Sequence, residues 1–133
     1  CDSSNFDLLS LQIVNRAIEL IGQALADPTT LIVVGAYSIG KEKIYLTAAK
    51  RFGCKVCVDS HRMLVLTCQE LEPSVKALLT TSEQGTRIHV ISIGRLTVKQ
   101  MNEYLRARPA YTRIVALKPS LFFYFLTKFS AYN

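Results

Sequence analysis

Residues 30–52, TLIVVGAYSIGKEKIYLTAAKRF, contain the patterns of a strand, a glycine-bounded loop and a helix in direct succession. Leu31 to Gly35 is a continuous apolar run, which is typical of a strand covered on both faces of its sheet. Residues 41–51 have the pattern of a helix, and Gly53 provides its C-terminal stop. A buried strand followed by a crossover helix restricts the fold strongly, because it indicates a parallel sheet with a helix layer packed on it.

The loop of this unit nearly matches the phosphate-binding motif G-x-x-x-x-G-K-[ST]. Gly35, Gly40 and Lys41 satisfy the pattern, but Glu42 stands where a Ser or Thr hydroxyl would hold magnesium. Two interpretations remain open on this chemistry alone. One is an ordinary strand-to-helix connection, whose unpaired N–H groups attract anions with help from Lys41. The other is a nucleotide-triphosphate site that uses Asp59 as its second acidic residue.

Strand and helix patterns alternate through most of the chain, which predicts an α/β fold with a mostly parallel sheet and helices on both faces. Ligands of such sheets bind beyond the carboxyl ends of the strands, where Gly35 to Lys41 and Gly94 both fall. The predicted helices cover residues 10–26, 41–51, 60–68 and 75–79 and a segment after Thr97, and the predicted strands cover residues 31–35, 56–58, 87–93 and 113–117.

Two helix starts carry capping signals. Ser10 is the predicted N-cap of the first helix, and Thr97 with Gln100 matches a capping box. The helix that follows Thr97 is expected to turn three apolar side chains inward: Val98, Met101 and Leu105.

The positive charge of the chain is concentrated in its second part. Residues 1–84 hold eight Lys and Arg against nine Asp and Glu, whereas residues 85–133 hold eight against one, for a net charge of +6. A basic surface provides the sequence-independent part of nucleic-acid binding, and scattered solvated charges are the alternative interpretation. The basic residues of the second part are Arg87, Arg95, Lys99, Arg106, Arg108, Arg113, Lys118 and Lys128.

Among the four cysteines, Cys54 and Cys57 form a C-x-x-C pair without a second such pair or closely spaced histidines. In a predicted strand this spacing points the two thiols to opposite faces, so buried free thiols are expected rather than a zinc or redox site. Free thiols suit a reducing compartment. The start lacks a signal-peptide pattern, and the longest apolar run, Leu121 to Leu126, is too short to span a bilayer.

The segment GAYSIGKEKIYLTAAKRFGCKV closely follows the pattern G-[ST]-Y-[ST]-I-G-K-E-[RK]-[VLI]-[FY]-L. After it, SHRMLVLTCQELEPSVKALLTTSEQGTRIHVISIG provides a cysteine-leucine helix, the Thr80-Thr81 turn and a strand with His89. In this order the features resemble the DNA cross-link repair nucleases, the Artemis-related branch of the metallo-β-lactamase superfamily with its β-CASP region. The resemblance covers residues 11–119 and implies a β-CASP-type region.

The resemblance implies roles for six residues. Glu42 and His89 take the places of an acidic and a histidine motif beside the metal site of β-CASP enzymes, so we expect them to approach each other as auxiliary catalytic residues. A carboxylate beside an imidazole favours the protonated ring, which suits proton donation or contact with the scissile phosphate. Contacts to DNA phosphates are expected from the other four residues: Tyr37, Ser38, Gly40 and Lys41.

Zinc in this superfamily is held by an H-x-H-x-D-H cluster with a further His and Asp, and it activates water for hydrolysis. This sequence contains no such cluster and has only two histidines, His61 and His89. We therefore expect no metal site or cofactor in this chain, zinc in the parent enzyme, and no DNA cleavage by the chain alone. His61 has no counterpart in the family pattern and is interpreted as a surface residue.

The resemblance implies a fragment of a nuclear DNA interstrand cross-link repair nuclease, whose parent is a zinc-dependent 5′-to-3′ DNA exonuclease. The chain's first residue, Cys1, agrees with a fragment. The expected partners are DNA, at damaged sites or 5′ ends, and other DNA repair proteins, and no membrane is expected. A non-catalytic nucleic-acid-binding module and a P-loop-like nucleotide-binding domain are the alternatives.

Two parts of the chain differ in their agreement with this family. Residues 1–119 are interpreted as an incomplete β-CASP or DNA repair metallo-β-lactamase region. After ALKP the family continues with Thr-Gly-Trp, whereas this chain continues with SLFFYFLTKFSAYN and contains no tryptophan. Residues 120–133 are therefore interpreted as a divergent apolar tail, and we expect it to result from a truncation.

Overall fold

The computed structural model describes residues 3–37, 42–119 and 124–130, with side chains from residue 11 onward except at 119 and 124–127. The helices are α1 (Ser3–Leu25), α2 (Glu42–Phe52), α3 (Ser60–Thr67), α4 (Pro73–Lys76) and α5 (Val98–Arg106), and a 3-10 turn covers Ile93–Arg95. The strands are β1 (Thr30–Ala36), β2 (Val56–Cys57), β3 (Leu79–Thr80), β4 (Ile88–Ser92), β5 (Arg113–Pro119) and β6 (Tyr124–Ser130).

The strands form one six-stranded sheet in the order β3-β2-β4-β1-β5-β6. Every pair of neighbours is parallel except β5 and β6, which are antiparallel. The central strand, β1, has a continuous buried pattern, as its apolar run predicts. The predicted α/β fold with a mostly parallel sheet is confirmed.

Two apolar cores cover the two faces of the sheet, so the predicted helices on both faces are also confirmed. The first core joins α1, α2 and α3 to the sheet, with these largest contributors: Ile21, Ile32, Val34, Ile44, Tyr45 and Leu66. The second core joins α5 to the other face, with Leu31, Val33, Ile91, Met101, Leu105 and Ile114. Successive residues of β1 alternate between the two cores, because neighbouring side chains of a strand point to opposite faces.

Helix ends agree with the capping signals in one case and differ in another. Thr97 caps α5, and its hydroxyl oxygen accepts a hydrogen bond from the backbone N–H of Gln100 at 3.2 Å. Met101 and Leu105 are buried as predicted, but Val98 is 64% exposed, so its inward orientation is wrong. Ser10 is not an N-cap, because α1 already begins at Ser3.

Two strands are absent from the sequence-based prediction. β3 has only two residues and follows α4 directly, in a segment where the sequence predicts a helix over 75–79. β6 lies in the predicted divergent tail and pairs with β5 from Arg113↔Ser130 to Pro119↔Tyr124. Because β6 forms the edge of the sheet, part of the tail is a structural element of this domain.

The three described cysteines are free thiols. Cys54 packs against the first core, whereas Cys57 lies near Glu83 on the other face, as the spacing predicts. Burial raises the pKa of both thiols. Cys54 and Cys57 are only half-buried and Cys68 is exposed, so the expected burial of the free thiols is wrong. Within the described residues no helix is long and apolar enough to cross a membrane.

A candidate nucleic-acid interface at the carboxyl edge of the sheet

The carboxyl ends of β1 and β4 lie side by side, with Ala36 paired to Ser92. From this point β1 continues toward α2 on the first core, whereas β4 continues toward α5 on the second core. Adjacent parallel strands whose connections leave toward opposite faces leave a crevice between their loops, and ligands of open α/β sheets bind there. A functional site is therefore expected at this edge of the molecule.

Gly35 is tightly packed at this edge. A methyl group on Gly35 would collide with Leu96 Cδ1 and would lie 3.1 Å from Leu96 Cγ and 3.4 Å from Ile93 Cα. The absence of a side chain thus lets the turn after β4 pack directly against β1. The first glycine of the near-motif is explained by this contact, which favours the ordinary strand-to-helix connection over a nucleotide-triphosphate loop.

Tyr37 follows β1 and has a 53% exposed side chain. Its backbone carbonyl oxygen accepts a hydrogen bond from Arg62 Nη1 at 2.8 Å. This contact ties α3 to the start of the predicted phosphate-binding loop. Ser38, Gly40 and Lys41 lie outside the described residues, so their expected phosphate contacts stay a prediction.

Arg62 is the buried cation of this edge, since only 6% of the residue is exposed. Asp59 caps α3, and its Oδ1 accepts a hydrogen bond from the backbone N–H of Arg62 at 2.7 Å. The other carboxylate oxygen, Oδ2, lies 3.9 Å from Arg62 Nε, which exceeds hydrogen-bonding distance. Within the described part of the chain, the buried Arg62 Nε therefore has no hydrogen-bond partner.

The pKa of Tyr45 reflects the charged groups around Arg62. Burial raises the pKa of Tyr45 to about 12, Arg62 works against this rise, and the carboxylates of Glu42 and Asp59 add to it. The Tyr45 hydroxyl also lacks a hydrogen-bond partner of normal geometry among the described residues. We refer to Glu42, Tyr45, Asp59 and Arg62 as the edge cluster, because the other three residues all act electrostatically on Tyr45.

A cavity of about 590 Å³ opens beside the edge cluster. Its walls are Asp59, Ser60, His61, Arg62 and Ser92, which come from the start of α3 and the end of β4. These residues carry hydroxyl, imidazole, guanidinium and carboxylate groups, and the Arg62 side chain is almost wholly buried. Such groups can bind a polar, anionic ligand through several hydrogen bonds.

His89 lies elsewhere, in a buried hydrogen-bond chain on the α5 face. Its Nε2 is 2.9 Å from Thr86 Oγ1, and its Nδ1 is 2.6 Å from the Tyr104 hydroxyl oxygen. Thr86 donates its single hydroxyl proton to the carbonyl oxygen of Glu83. We therefore assign the neutral tautomer in which His89 Nε2–H donates to Thr86 and Nδ1 accepts from Tyr104.

An ion pair between Glu83 and Arg108 lies on the solvent side of this hydrogen-bond chain. Glu83 Oε2 accepts from Arg108 Nη2 at 3.0 Å, and the Arg108 guanidinium carbon lies 3.4 Å from the centroid of the Tyr104 ring. Burial lowers the pKa of His89 to about 4; Glu83 opposes this shift and Arg108 adds to it. Arg108 holds the pKa of Glu83 below its ordinary value. His89 is consequently uncharged at neutral pH.

The predicted approach of Glu42 to His89 is wrong, because the two side chains belong to opposite faces of the sheet. His89 contacts Tyr104 of the second core, whereas α2, which begins at Glu42, packs in the first core. His89 is also paired with Val33, in the middle of β1 rather than at its carboxyl end. The carboxylate beside the imidazole is that of Glu83, and the ring is neutral rather than protonated.

The basic residues of the second half do not form a single surface. Arg87 donates to the carbonyl oxygens of Asp27 and Thr30, and Arg108 pairs with Glu83, so both stabilise the fold. Arg113 is the first residue of β5 and Lys118 lies near the other end of the same strand, so the two charges are at opposite ends of β5. These four charges are therefore scattered and do not form one phosphate-facing stripe.

The described residues do not fit a zinc site. Among them, no group of three or more His, Cys, Asp and Glu is arranged to hold a metal ion. Both ring nitrogens of His89 have protein partners, and His61 is exposed at the wall of the cavity. The zinc expected for the parent enzyme therefore has no ligand set in this part of the chain.

Arg62 is the site residue that the sequence analysis missed. A usable signal exists, because Arg62 and Leu66 are both buried and lie four positions apart on α3. An arginine on the apolar stripe of a helix that starts with an Asp cap is an anomaly that needs a buried partner. The exposure of His61 agrees with its interpretation as a surface residue, although it lines the cavity.

The fold and the carboxyl-edge crevice define an α/β domain of the class that binds ligands beyond the ends of parallel strands. Residues 73–130 match the family described as DNA repair metallo-beta-lactamase. The chain belongs to this family. The match extends past Pro119, the point at which the resemblance is expected to end.

Similar proteins agree with this assignment. The chain is 32% identical over 108 residues to a DNA cross-link repair 1A protein of Gallus gallus, which covers 80% of this chain and 11% of that protein. It is 36% identical over 94 residues to the DNA cross-link repair protein SNM1 of Arabidopsis thaliana, covering 70% of this chain and 19% of that protein. It is 35% identical over 69 residues to the 5′ exonuclease Apollo of Gallus gallus, covering 52% and 14%. The chain therefore spans less than a fifth of each of these relatives.

Proposed function

We propose that this chain is a part of a DNA cross-link repair nuclease and contacts the DNA that the nuclease acts on. The observation that carries this proposal is the edge cluster, where buried Arg62 supports the loop after β1 beside a polar cavity. The relatives are named as cross-link repair proteins and as a 5′ exonuclease, so DNA is the ligand that such an anion-binding edge would serve. Arginine and hydroxyl groups are common donors to DNA phosphates.

In this proposal the intact protein is a nuclear, zinc-dependent 5′-to-3′ exonuclease that acts at damaged sites or 5′ ends, together with other repair proteins. Tyr37, Ser38, Gly40 and Lys41 contact phosphates at the mouth of the crevice. Glu42 acts as an auxiliary residue by setting the electrostatics of the edge cluster. His89 acts only indirectly, through the buried chain that joins β4 to α5.

In this proposal the chain contacts DNA, and the zinc ions are bound by another part of the intact protein. The described residues provide donors for phosphate oxygens but no ligand set for zinc, so water activation would depend on residues that they do not include. The chain alone should therefore bind DNA without cleaving it. A P-loop-like nucleotide site is disfavoured, because Gly35 serves the packing of Leu96 and Glu42 replaces the magnesium-binding hydroxyl.

Salt-dependent binding of a fluorescent single-stranded oligonucleotide with a 5′ phosphate tests this proposal. We expect affinity to fall as salt rises, with a logarithmic slope of about −0.7 for each phosphate neutralised. Incubation with zinc and the same oligonucleotide should leave it intact. Absence of binding even at low salt, or tight magnesium-dependent binding of a nucleoside triphosphate instead, would contradict the proposal.

A further inference from the structure

Two basic residues lie side by side near the amino end of β5, opposite to the carboxyl edge of the parallel strands. Arg113 is the first residue of β5 and pairs with Ser130 of β6, while Lys128 of β6 pairs with Val115. Arg113 and Lys128 are therefore diagonal neighbours on one face of the sheet, because directly opposed residues of an antiparallel pair share a face. Such neighbours are about 7–8 Å apart, which long side chains can bridge.

A cavity of about 190 Å³ is lined by both cations and by parts of α1. Its apolar walls are Leu20 and Ala24 of α1 and Val115 of β5. Arg113 and Lys128 are exposed, so solvent reaches the charged part of the lining. The cavity thus combines apolar walls with two accessible positive charges.

The described residues do not neutralise these two charges. All ion pairs between described residues involve other side chains than those of Arg113 and Lys128. Asp27 also lines the cavity, but its Oδ1 already accepts hydrogen bonds from the Thr29 backbone N–H at 2.9 Å and from the Thr29 hydroxyl at 2.7 Å. These hydrogen bonds are the main cause that holds the pKa of Asp27 below its ordinary value, and Arg113 contributes least. The cavity therefore has an excess of positive charge.

The excess charge and the apolar walls together favour the carboxylate of a protein side chain as the ligand. Like charges at neighbouring sheet positions repel each other, and an anion bound between them removes this repulsion. A glutamate carboxylate is carried on methylene groups that apolar walls can contact. A DNA phosphate is flanked by two sugars instead and would leave those walls uncovered. The cavity also lies at the end of the sheet that is opposite to the proposed DNA contact.

The intact protein provides a source for such a side chain. The chain spans less than a fifth of each of the relatives named above, so a protein of their length has most of its residues outside this domain. A segment that is covalently joined to the domain is present at a high effective concentration. Even a weak contact with one carboxylate is therefore populated in the intact protein.

We propose that the cavity between α1, β5 and β6 binds an acidic side chain from another segment of the intact protein. Arg113 and Lys128 bind the carboxylate, and the apolar walls contact the methylene groups of the same side chain. The contact holds that segment at the end of the sheet opposite to the proposed DNA contact. It rests on the proposed function only in that this chain is treated as part of a longer protein.

An NMR titration of the whole chain with a blocked glutamate, N-acetyl-glutamate N-methylamide, tests the site. The probe should shift the backbone amide resonances of Arg113 and Lys128 saturably. The matching blocked glutamine should shift them far less at equal ionic strength, because it lacks the charge. Dimethyl phosphate should bind more weakly than the blocked glutamate, because it leaves the apolar walls uncovered. Equal binding of the blocked glutamine, tighter binding of dimethyl phosphate, or no saturable shift would overturn the proposal.

Lys128→Gln and Lys118→Gln are a matched pair of variants for the same titration. Both remove one exposed lysine from the last two strands, but only Lys128 lines the cavity. Lys128→Gln should weaken the affinity for the blocked glutamate by about two- to five-fold, as expected for an exposed ion pair. Lys118→Gln should change it by less than about 1.5-fold, because Lys118 lies near the other end of β5 and its charge is screened. Equal effects of the two variants would contradict the site, and thermal melting of each variant confirms that the fold is intact.

The oligonucleotide of the DNA-binding test separates this proposal from the proposed function. A chain that binds the oligonucleotide but not the blocked glutamate would remove the acidic-segment contact and keep the DNA contact. A chain that binds the blocked glutamate but no oligonucleotide at low salt would keep the carboxylate site and remove the DNA contact. An oligonucleotide that displaces the blocked glutamate from the cavity would overturn the choice of a protein segment as the ligand.

Discussion

At the scale of single residues, two buried tyrosines show how the same side chain is used differently on the two faces of the sheet. Tyr104 donates its hydroxyl to His89 Nδ1 at 2.6 Å, whereas the Tyr45 hydroxyl in the edge cluster has no hydrogen-bond partner of normal geometry among the described residues. Burial raises the pKa of both tyrosines to about 12. Neither phenol therefore ionises near neutral pH.

Tyr104→Phe and Tyr45→Phe form a matched pair of substitutions. Tyr104→Phe should lower the free energy of unfolding by about 1–3 kcal/mol, because it leaves a buried imidazole nitrogen without its donor. Tyr45→Phe should change it by less than about 0.5 kcal/mol or raise it, because the Tyr45 hydroxyl has no hydrogen-bond partner of normal geometry among the described residues and only its weaker electrostatic contact with Arg62 is lost. Urea denaturation followed by circular dichroism measures both, and an equal loss in the two variants would contradict the assigned hydrogen bonds.

The site residues illustrate what can be read from one sequence. The family resemblance pairs Glu42 with His89, but nothing local in the sequence states which sheet face each occupies. The sequence assigns no role to Arg62, because an arginine is ordinarily solvated and only the packing of α3 reveals its burial. Tyr37 lies directly after the buried strand, in the loop that the sequence predicts there, and its side chain is exposed.

At the scale of elements, the contact between β1 and the turn after β4 organises the carboxyl edge. Leu96 and Ile93 pack directly over Gly35, so the two loops approach each other closely. A methyl group on Gly94, in the same turn, would meet no atom of the described residues within 4 Å. The two glycines thus differ in their packing: Gly35 lies near the end of β1, whereas Gly94 lies in the turn after β4.

Gly35→Ala tests this contact, and Gly94→Ala is its control. The added methyl at position 35 must displace the Leu96 side chain, which should destabilise the fold by about 1–3 kcal/mol. Gly94→Ala should change the stability by less than about 0.5 kcal/mol. Thermal unfolding of both variants gives the comparison, and a neutral Gly35→Ala would show that this approach is looser than described.

Element prediction succeeded where the local pattern was long and failed where pairing decided the structure. β1, α2 and α5 have strong apolar periodicity or caps, and each lies within a few residues of its expected position. β3 has two residues and gains its identity only from pairing with β2. The sequence predicts a tail in place of β6, because the apolar run does not say that β5 offers an open edge.

At the scale of the whole molecule, the buried histidine chain links stability to pH. The pKa of His89 falls to about 4 in the folded state, below its ordinary value of 6.5. The unfolded state therefore binds more protons than the folded state between these values, and stability decreases as the pH falls through this window. The dependence fades as the pH rises past 6.5, because the ring of the unfolded state then loses its proton as well.

The expected loss between about pH 6.5 and pH 4.5 is about 2–3 kcal/mol, since each pH unit corresponds to about 1.4 kcal/mol. Urea denaturation at about pH 7.0, 5.5 and 4.5 measures it. His89→Gln should remove most of this slope even if it lowers stability overall, whereas the exposed His61→Gln should retain it. An unchanged slope in His89→Gln would contradict a buried neutral ring.

The sequence by itself determined the layered α/β architecture, because unbroken apolar runs and helical periodicity need only neighbours along the chain. It also determined the family, through the ordered residues of the loop after β1. Tertiary structure alone decided which face each side chain occupies, so it separated Glu42 from His89 and buried Arg62 beside Tyr37. The physical reason is that strand order and pairing register join residues that are distant in sequence, and a shift of one position reverses the face of every side chain in a strand.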